Sequence, residues 1–216
     1  MDTDPAPSTS ELSQFLVDGV LDVTEKWLMG HPEDKELFMN ETSLQVAQGA
    51  DIGGADIISV VRADGVTAGN FRPCRKIHPS MQSQVTDTDS LSFASAYNPV
   101  YMVSGSNVKV FPAPSDNSGK DSYKVLYVNN IPKDSGGTSL GYSDSALGYF
   151  PADKAYLVVL YASIKSLEAA AGNKAIAQDT ELQQIYTGIA NSLKSEYYGA
   201  LQGPQQQQQP QQQGRR

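Results

Sequence analysis

The sequence predicts an α+β fold: mainly a helical bundle of three main helices, with a small antiparallel β module inserted in the middle and an extended C-terminal arm. Three observations carry this. Apolar residues recur at helical spacing near both ends of the chain. Between them lie short β-branched runs joined by Gly-, Ser- and Pro-containing connections. The last fourteen residues, GPQQQQQPQQQGRR, hold no apolar side chain.

Residues 1–8 read as a polar lead-in. Ser8 and Glu11 have the Ser-x-x-Glu spacing of a capping box, in which each residue satisfies the other's free backbone donor. Behind them Leu12, Phe15, Leu16, Gly19, Val20, Val23 and Trp27 follow a period of 3.6. This predicts a helix over residues 9–29, stopped by Gly30 and Pro32. A weaker helix is expected from Glu33 to about Gln48, and GADIGG, 49–54, as a break.

The β module is expected over about residues 56–130. IISVV, 57–61, suits a buried strand. A helical turn or two is expected near 79–87. PVYMV and NVKVF flank SGS, a hairpin signal, and YKVLYV is a further strand. The stretch Pro132–Gly148 is rich in Gly and Ser and has no period. A loop of that length in a compact domain is either disordered or engaged with a partner.

Helical periodicity returns in FPADKAYLVVLYASIKSLEAAAG. Pro151 is placed to start a helix and Gly172 to end it, giving residues 151–171. Its apolar surface is broad, so cover on more than one side is expected. A last helix is expected over 180–198, with Leu182, Ile185, Ile189 and Leu193 at i, i+3, i+7 and i+11. Residues 9–202 are thus expected as a single domain, with Phe15, Trp27, Leu157, Leu160, Ile164 and Ile189 mostly buried where the helices meet.

Composition narrows the function classes. A net charge of −8 and a pI near 4.7 argue against nucleic acid as the main ligand, which needs a surplus of Lys and Arg. Cys74 is the single cysteine, so no internal disulfide forms. No apolar run reaches the ~18 residues a membrane span requires. The start, MDTDPAPSTS, lacks the basic and apolar regions of a secretory signal.

No catalytic constellation is legible. His31 and His78 are isolated, each before a proline, and sit in no metal-ligand spacing. No catalytic residue, cofactor-binding residue or metal ligand is assigned, and no enzyme activity is expected. Asp87 and Asp89, and the trio Asp116, Asn117 and Asp121, read as turns that bond their own backbone rather than cation sites. Arg62, Arg72, Arg75 and Lys76 form the one basic concentration, with solvated side chains as the plain reading and contact with an acidic surface or passing DNA as the sharper one. Eleven tyrosines outnumber six phenylalanines. Tyrosine combines contact area with a polar tip, and Tyr142 and Tyr149, in a Gly/Ser loop, fit an interface better than a core.

FPADKAYLVVLYASIKSLEA resembles a helix of head-to-tail connector proteins of tailed bacteriophages. PVYMV, NVKVFPAP and KVLYVNNIP resemble the β pieces that precede it there, and ELSQFLVDGVLDV fits the opening helix. The family is the adaptor, or head-completion, protein. The resemblance covers nearly the whole chain in the order of its elements; the Gln-rich ending matches only in position and extendedness. It implies a non-catalytic virion protein of the neck, assembled in the host cytoplasm. Its partners would be itself, in a homo-oligomeric ring of twelve, the portal protein, and a downstream tail or neck protein, with DNA only as passing cargo and no membrane. Other phage neck, tail or baseplate proteins are the nearest alternative. A small-molecule or carbohydrate-binding module, with Tyr101, Tyr127 and Trp27 as stacking residues, is the alternative of another class.

Within this resemblance the ending, residues 203–216, becomes a docking arm. Fourteen residues in polyproline geometry reach about 43 Å at 3.1 Å each. The partner-binding residues expected are Gln205, Gln209, Pro210, Gln213, Arg215 and Arg216 of the arm, with Tyr142, Tyr149, Arg72 and Arg75 of the body.

Overall fold

The computed structural model describes residues 7–115, 119–129 and 132–202. It contains both helices and sheets, so the fold is α+β. The described chain divides into two compact units. One is formed by residues up to Asp34 together with those from Pro132 on; the other lies between Lys35 and Ile131. No described helix is long and apolar enough to cross a membrane.

In the first unit, helix α1 (Thr9–Gly30) begins with the expected capping box. The Ser8 side chain accepts from Glu11 N–H at 3.2 Å, and the Glu11 carboxylate accepts from Ser8 N–H at 2.8 Å. The Ser8 N–H and the Ser8 hydroxyl, which both donate to the carboxylate at 2.8 Å, hold the Glu11 carboxyl below its ordinary range. Residues 151 to 201 form a helical hairpin of α3 (Ala155–Ile176) and α4 (Thr180–Leu201). Gln178, at φ +60°, turns the chain, and the Asp179 carboxylate caps α4 by accepting from Leu182 N–H. The last helix therefore matches the expectation closely. The preceding one does not stop at Gly172: packing against α4 carries it on to Ile176, outweighing the ~1 kcal/mol that glycine costs inside a helix.

Gly19 sets the distance between α1 and α3. A Cβ there would lie 3.2 Å from the Val158 carbonyl oxygen and 3.2 Å from the Tyr161 ring. Around this contact Val20, Val23, Leu157, Val158, Ile164 and Tyr197 form one core, joined by Leu140 from the 132–148 stretch. That stretch is tied down rather than free. It carries the short strands β9 (Lys133–Asp134) and β10 (Leu147–Gly148), and Tyr142 N–H donates to Ser13 Oγ at 3.0 Å.

In the second unit the expected weak helix from Glu33 is absent. A 3-10 turn (Pro32–Phe38) leads directly into strand β1 (Met39–Glu41). The GADIGG break likewise contains a strand, β2 (Ala50–Asp51). Irregular apolar spacing offered no helical face to bury, and the open backbone donors went to neighbouring strands instead. The remaining strands are β3 (Ile57–Ala63), β4 (Phe71–Pro73), β5 (Arg75–Lys76), β6 (Val100–Ser104), β7 (Asn107–Phe111) and β8 (Tyr123–Val128). They form two four-stranded sheets, ordered β1-β8-β3-β4 and β2-β7-β6-β5. The module is not wholly antiparallel, because β5 runs parallel to β6. Between β5 and β6 lie a 3-10 turn (Pro79–Met81) and helix α2 (Gln82–Thr86).

Alternation explains how β6 is buried on both faces. Tyr101 joins Val60, Val108, Val110, Tyr123 and Val125 in a core drawn from both sheets. Its neighbours Val100 and Met102 point the other way, into a second core with Ile77, Val85, Ala94 and Phe111. The expected β6–β7 hairpin forms, but Ser104 joins the strand opposite Asn107, so the loop is two residues rather than SGS. Gly105, at φ +63°, takes the first place of its two-residue loop, where a left-handed residue matches the twist of the strands.

Two buried polar side chains cross between the sheets. Tyr123, on β8, is fully buried; its hydroxyl accepts from Ala50 N–H at 3.0 Å and donates towards the Ala47 and Val108 carbonyls, each 3.2 Å away. Arg62, its register partner on β3, donates Nε to the Pro112 carbonyl at 3.0 Å, NH1 to the Ala63 carbonyl at 2.7 Å, and NH2 to Asp121.

Two stability changes follow. Leu157→Ala, at a site with no solvent exposure, is expected to cost about 2–5 kcal/mol, read as a lower denaturant midpoint. Tyr123→Phe is expected to cost about 1–3 kcal/mol, because it strands the Ala50 donor in a dry interior; an unchanged midpoint would mean that water replaces the hydroxyl.

Candidate interaction surfaces

The ionisable groups of the fold are mostly engaged in holding it. Arg62 is spent on the β3–Asp121 junction, where Asp121 Oδ2 also accepts from Ser115 Oγ at 2.6 Å. Asp87 accepts from Asp89 N–H at 3.0 Å, the turn expected of TDTDS. Asp116 and Asn117 lie outside the described residues. Asp134 closes a turn by accepting from Gly136 and Thr138 N–H and from the Thr138 hydroxyl, which holds its carboxyl low. His78 accepts from Ser80 N–H and caps the 3-10 turn; His31 stacks on Trp27 with ring centroids 4.4 Å apart. Among the described residues, no three His, Cys, Asp or Glu side chains gather in a way that could hold a metal ion.

The proposed stacking residues do not form a binding face. Trp27 and Tyr101 are buried, and Tyr127 packs against the intersheet core. Trp27 is occupied by His31, by Lys154 at 4.1 Å from its ring, and by Asp34, which accepts its indole N–H at 2.7 Å.

The exposed apolar side chains lie elsewhere. On the helical unit, Tyr156, Val159, Ile176, Ile185, Ile189 and Tyr198 face solvent. Ile189 was expected in the core, with Ile185 on its stripe; of that stripe Leu193 packs, and α4 otherwise turns Ala190 and Tyr197 inward, a rotation of about one residue. Tyr197 fixes that rotation. Its hydroxyl donates to Asp22 Oδ2 at 2.5 Å, the oxygen that also accepts from Lys26 at 2.8 Å, and burial together with Asp22 pushes its pKa up. Phe15 and Leu160, also expected in the core, are only partly buried, while Leu157, Ile164 and Trp27 are buried.

Helix geometry explains the open end of the hairpin. Trp27 meets Lys154 and Gly19 meets Val158, so α1 runs antiparallel to α3. From Gly19 back to Thr9 is about 15 Å, whereas Val158 to Ile176 is about 27 Å. The last two to three turns of α3, and the α4 turns beside them, therefore extend past Thr9.

Of the residues expected to bind partners, Tyr142 and Tyr149 are about half exposed, and Tyr149 adopts φ +55°. Arg72 and Arg75 lie on β4 and β5, on either side of Cys74. Arg72 lies over the ring of Tyr97, 4.8 Å from its centroid. Tyr97 stood in the sequence as one tyrosine among many; no spacing linked it to Arg72, because sheet pairing brings them together. The arm residues Gln205, Gln209, Pro210, Gln213, Arg215 and Arg216 lie outside the described residues.

Cys74 packs against the intersheet core, and burial pushes its thiol up to about 12, against a smaller opposing effect of Arg62. A raised thiol pKa favours the folded state below the unfolded value of 9.0 and loses that contribution as pH climbs towards 12. At pH 8 the native thiol is expected to react with a disulfide reagent many-fold more slowly than in denaturant; equal rates would show that Cys74 is accessible. No protein-family model matches the chain, and no curated protein matches it significantly.

Proposed function

We propose that this chain is a structural assembly protein of a tailed-phage virion, an adaptor ring that joins the portal to the tail and carries out no catalysis. The observation that carries the reading is the uncovered apolar surface of the helical unit. Val159 on α3 is 59% exposed, and Ile185 and Ile189 on α4 are 48% and 46% exposed, on helices whose other sides are already packed. Exposed apolar side chains at both ends of the hairpin favour association over chemistry. In this reading α1, α3 and α4 are the three main helices of the ring wall. The Gln-rich ending, which follows α4, is the arm that meets the portal. Virion location and assembly in the host cytoplasm belong to the same proposal.

The small-molecule or carbohydrate reading gains nothing from the geometry, since Trp27 and Tyr101 are buried. A neck, tail or baseplate protein of another kind would use the same exposed hairpin and differ in its neighbours.

Removing residues 203–216 separates fold from assembly. The truncated protein is expected to melt within a degree or two of the full chain, because the arm has no apolar side chain to contribute to a core. Its binding to a purified portal ring, followed by mass, is expected to weaken on the order of tenfold or more. A lowered melting temperature with portal binding intact would overturn the arm's role, and full-length protein that never joins a portal ring would overturn the adaptor reading.

A further inference from the structure

Arg72 is placed as a receptor for a carboxylate. Its Nε is buried without an acceptor, and its guanidinium makes no hydrogen bond among the described residues. It lies over the ring of Tyr97, which is itself 65% exposed, and near enough to Asp64 to help hold that carboxyl low, without an ion pair to it. A guanidinium offers a planar fork that matches a carboxylate. Arg75 follows three residues on, on β5, where its backbone N–H donates to Pro99 O at 3.0 Å, two residues past Tyr97. The Arg75 side chain is exposed and makes no ion pair among the described residues. Two guanidinium groups without a hydrogen bond or ion pair among the described residues, one of them on an aromatic ring, thus stand out in a chain of net charge −8.

A surface of opposite character lies on the outer face of α1. Residues 9–34 hold six carboxylates against the single Lys26. Four are engaged internally: Glu11 in the cap, Asp18 as acceptor from Gln14 at 2.8 Å, Asp22 with Lys26 and Tyr197, and Asp34 with Trp27. Asp18, Leu21, Glu25 and Met29 are spaced to share one stripe, with Leu21, Glu25 and Met29 exposed. Glu25 has no hydrogen bond or ion pair among the described residues, and Met29 is 78% exposed. This stripe supplies carboxylates and apolar contact together, which is what the Tyr97 platform lacks.

We propose that the Tyr97–Arg72–Arg75 platform of one copy receives the Asp18–Glu25 stripe of α1 of a second copy. The occupant follows from charge complementarity. The two surfaces differ, so the contact is head-to-tail, and each copy keeps one free surface of each kind for the next. The inference rests on the assembly reading above and assigns the faces through which identical subunits meet.

Charge reversal tests it on the full-length chain, with mass measured over a concentration series in low salt. One variant carries Arg72→Glu and Arg75→Glu, the other Asp18→Lys and Glu25→Lys; circular dichroism and melting confirm that both fold. Each alone is expected to weaken self-association on the order of tenfold or more. An equimolar mixture is expected to recover it, because the acidic platform of one then meets the basic stripe of the other. Wild-type assembly that neither reversal weakens, or a mixture that stays dissociated, overturns this contact and leaves the assembly reading standing. A wild-type chain that stays monomeric at every concentration, alone and with portal ring, overturns both.

Discussion

Arg62 and Tyr123 face each other across β3 and β8, and from that pair both side chains reach the opposite sheet. A hydroxyl and a guanidinium in a dry interior are costly unless every donor is met. Here they are met by backbone atoms of the second sheet or of the chain leaving it: Ala50, Val108 and Pro112. The two sheets therefore cannot slide against each other without stranding a buried polar group. Apolar burial of Val60, Val108, Val110 and Val125 supplies the driving force, and these bonds fix where it acts. The ends of β7 are set by the same constraint, because Val110 N–H donates to Gln48 Oε1 at 2.8 Å, with a side chain standing in for a strand.

In the helical unit the equivalent constraint is steric. Gly19 lets α1 approach the Val158 carbonyl, and Tyr197 and Asp22 lock α4 to α1 from the other side. With those contacts taken, α3 has two covered faces and one bare one. The bare face carries Tyr156 and Val159, and the hairpin end carries Ile176, Ile185 and Ile189. Ion pairs such as Lys194–Glu168, 2.6 Å apart and more than a third exposed, add little to this.

Function follows from what these constraints leave over. The ionisable side chains that a sequence scan singles out for chemistry are engaged in turns, caps and sheet ties. What is left is a set of exposed apolar residues, the guanidinium groups of Arg72 and Arg75 without a hydrogen bond or ion pair among the described residues, and the exposed Glu25 on α1. Such features suit contact between macromolecules, which is why assembly is the reading proposed.

The sequence by itself determined the elements whose signal is local. The capping box at Ser8 and Glu11, the 3.6 period of α1, the glycine-turn hairpin of β6 and β7, and the strand YKVLYV all arise from neighbours within a few residues. They were legible for that reason. The tertiary structure decided whatever depends on partners far along the chain. The stretch after Glu33 became a 3-10 turn and strand because β8 was there to pair with it. The apolar stripe of α4 turned by one residue because Tyr197 found Asp22, 175 residues away, and so Ile185 and Ile189 faced water. Arg72 met Tyr97 only after the chain crossed from one sheet to the other at Cys74. Helical and strand periods report which residues share a face, but not which face finds a neighbour, because that depends on contacts no local window contains.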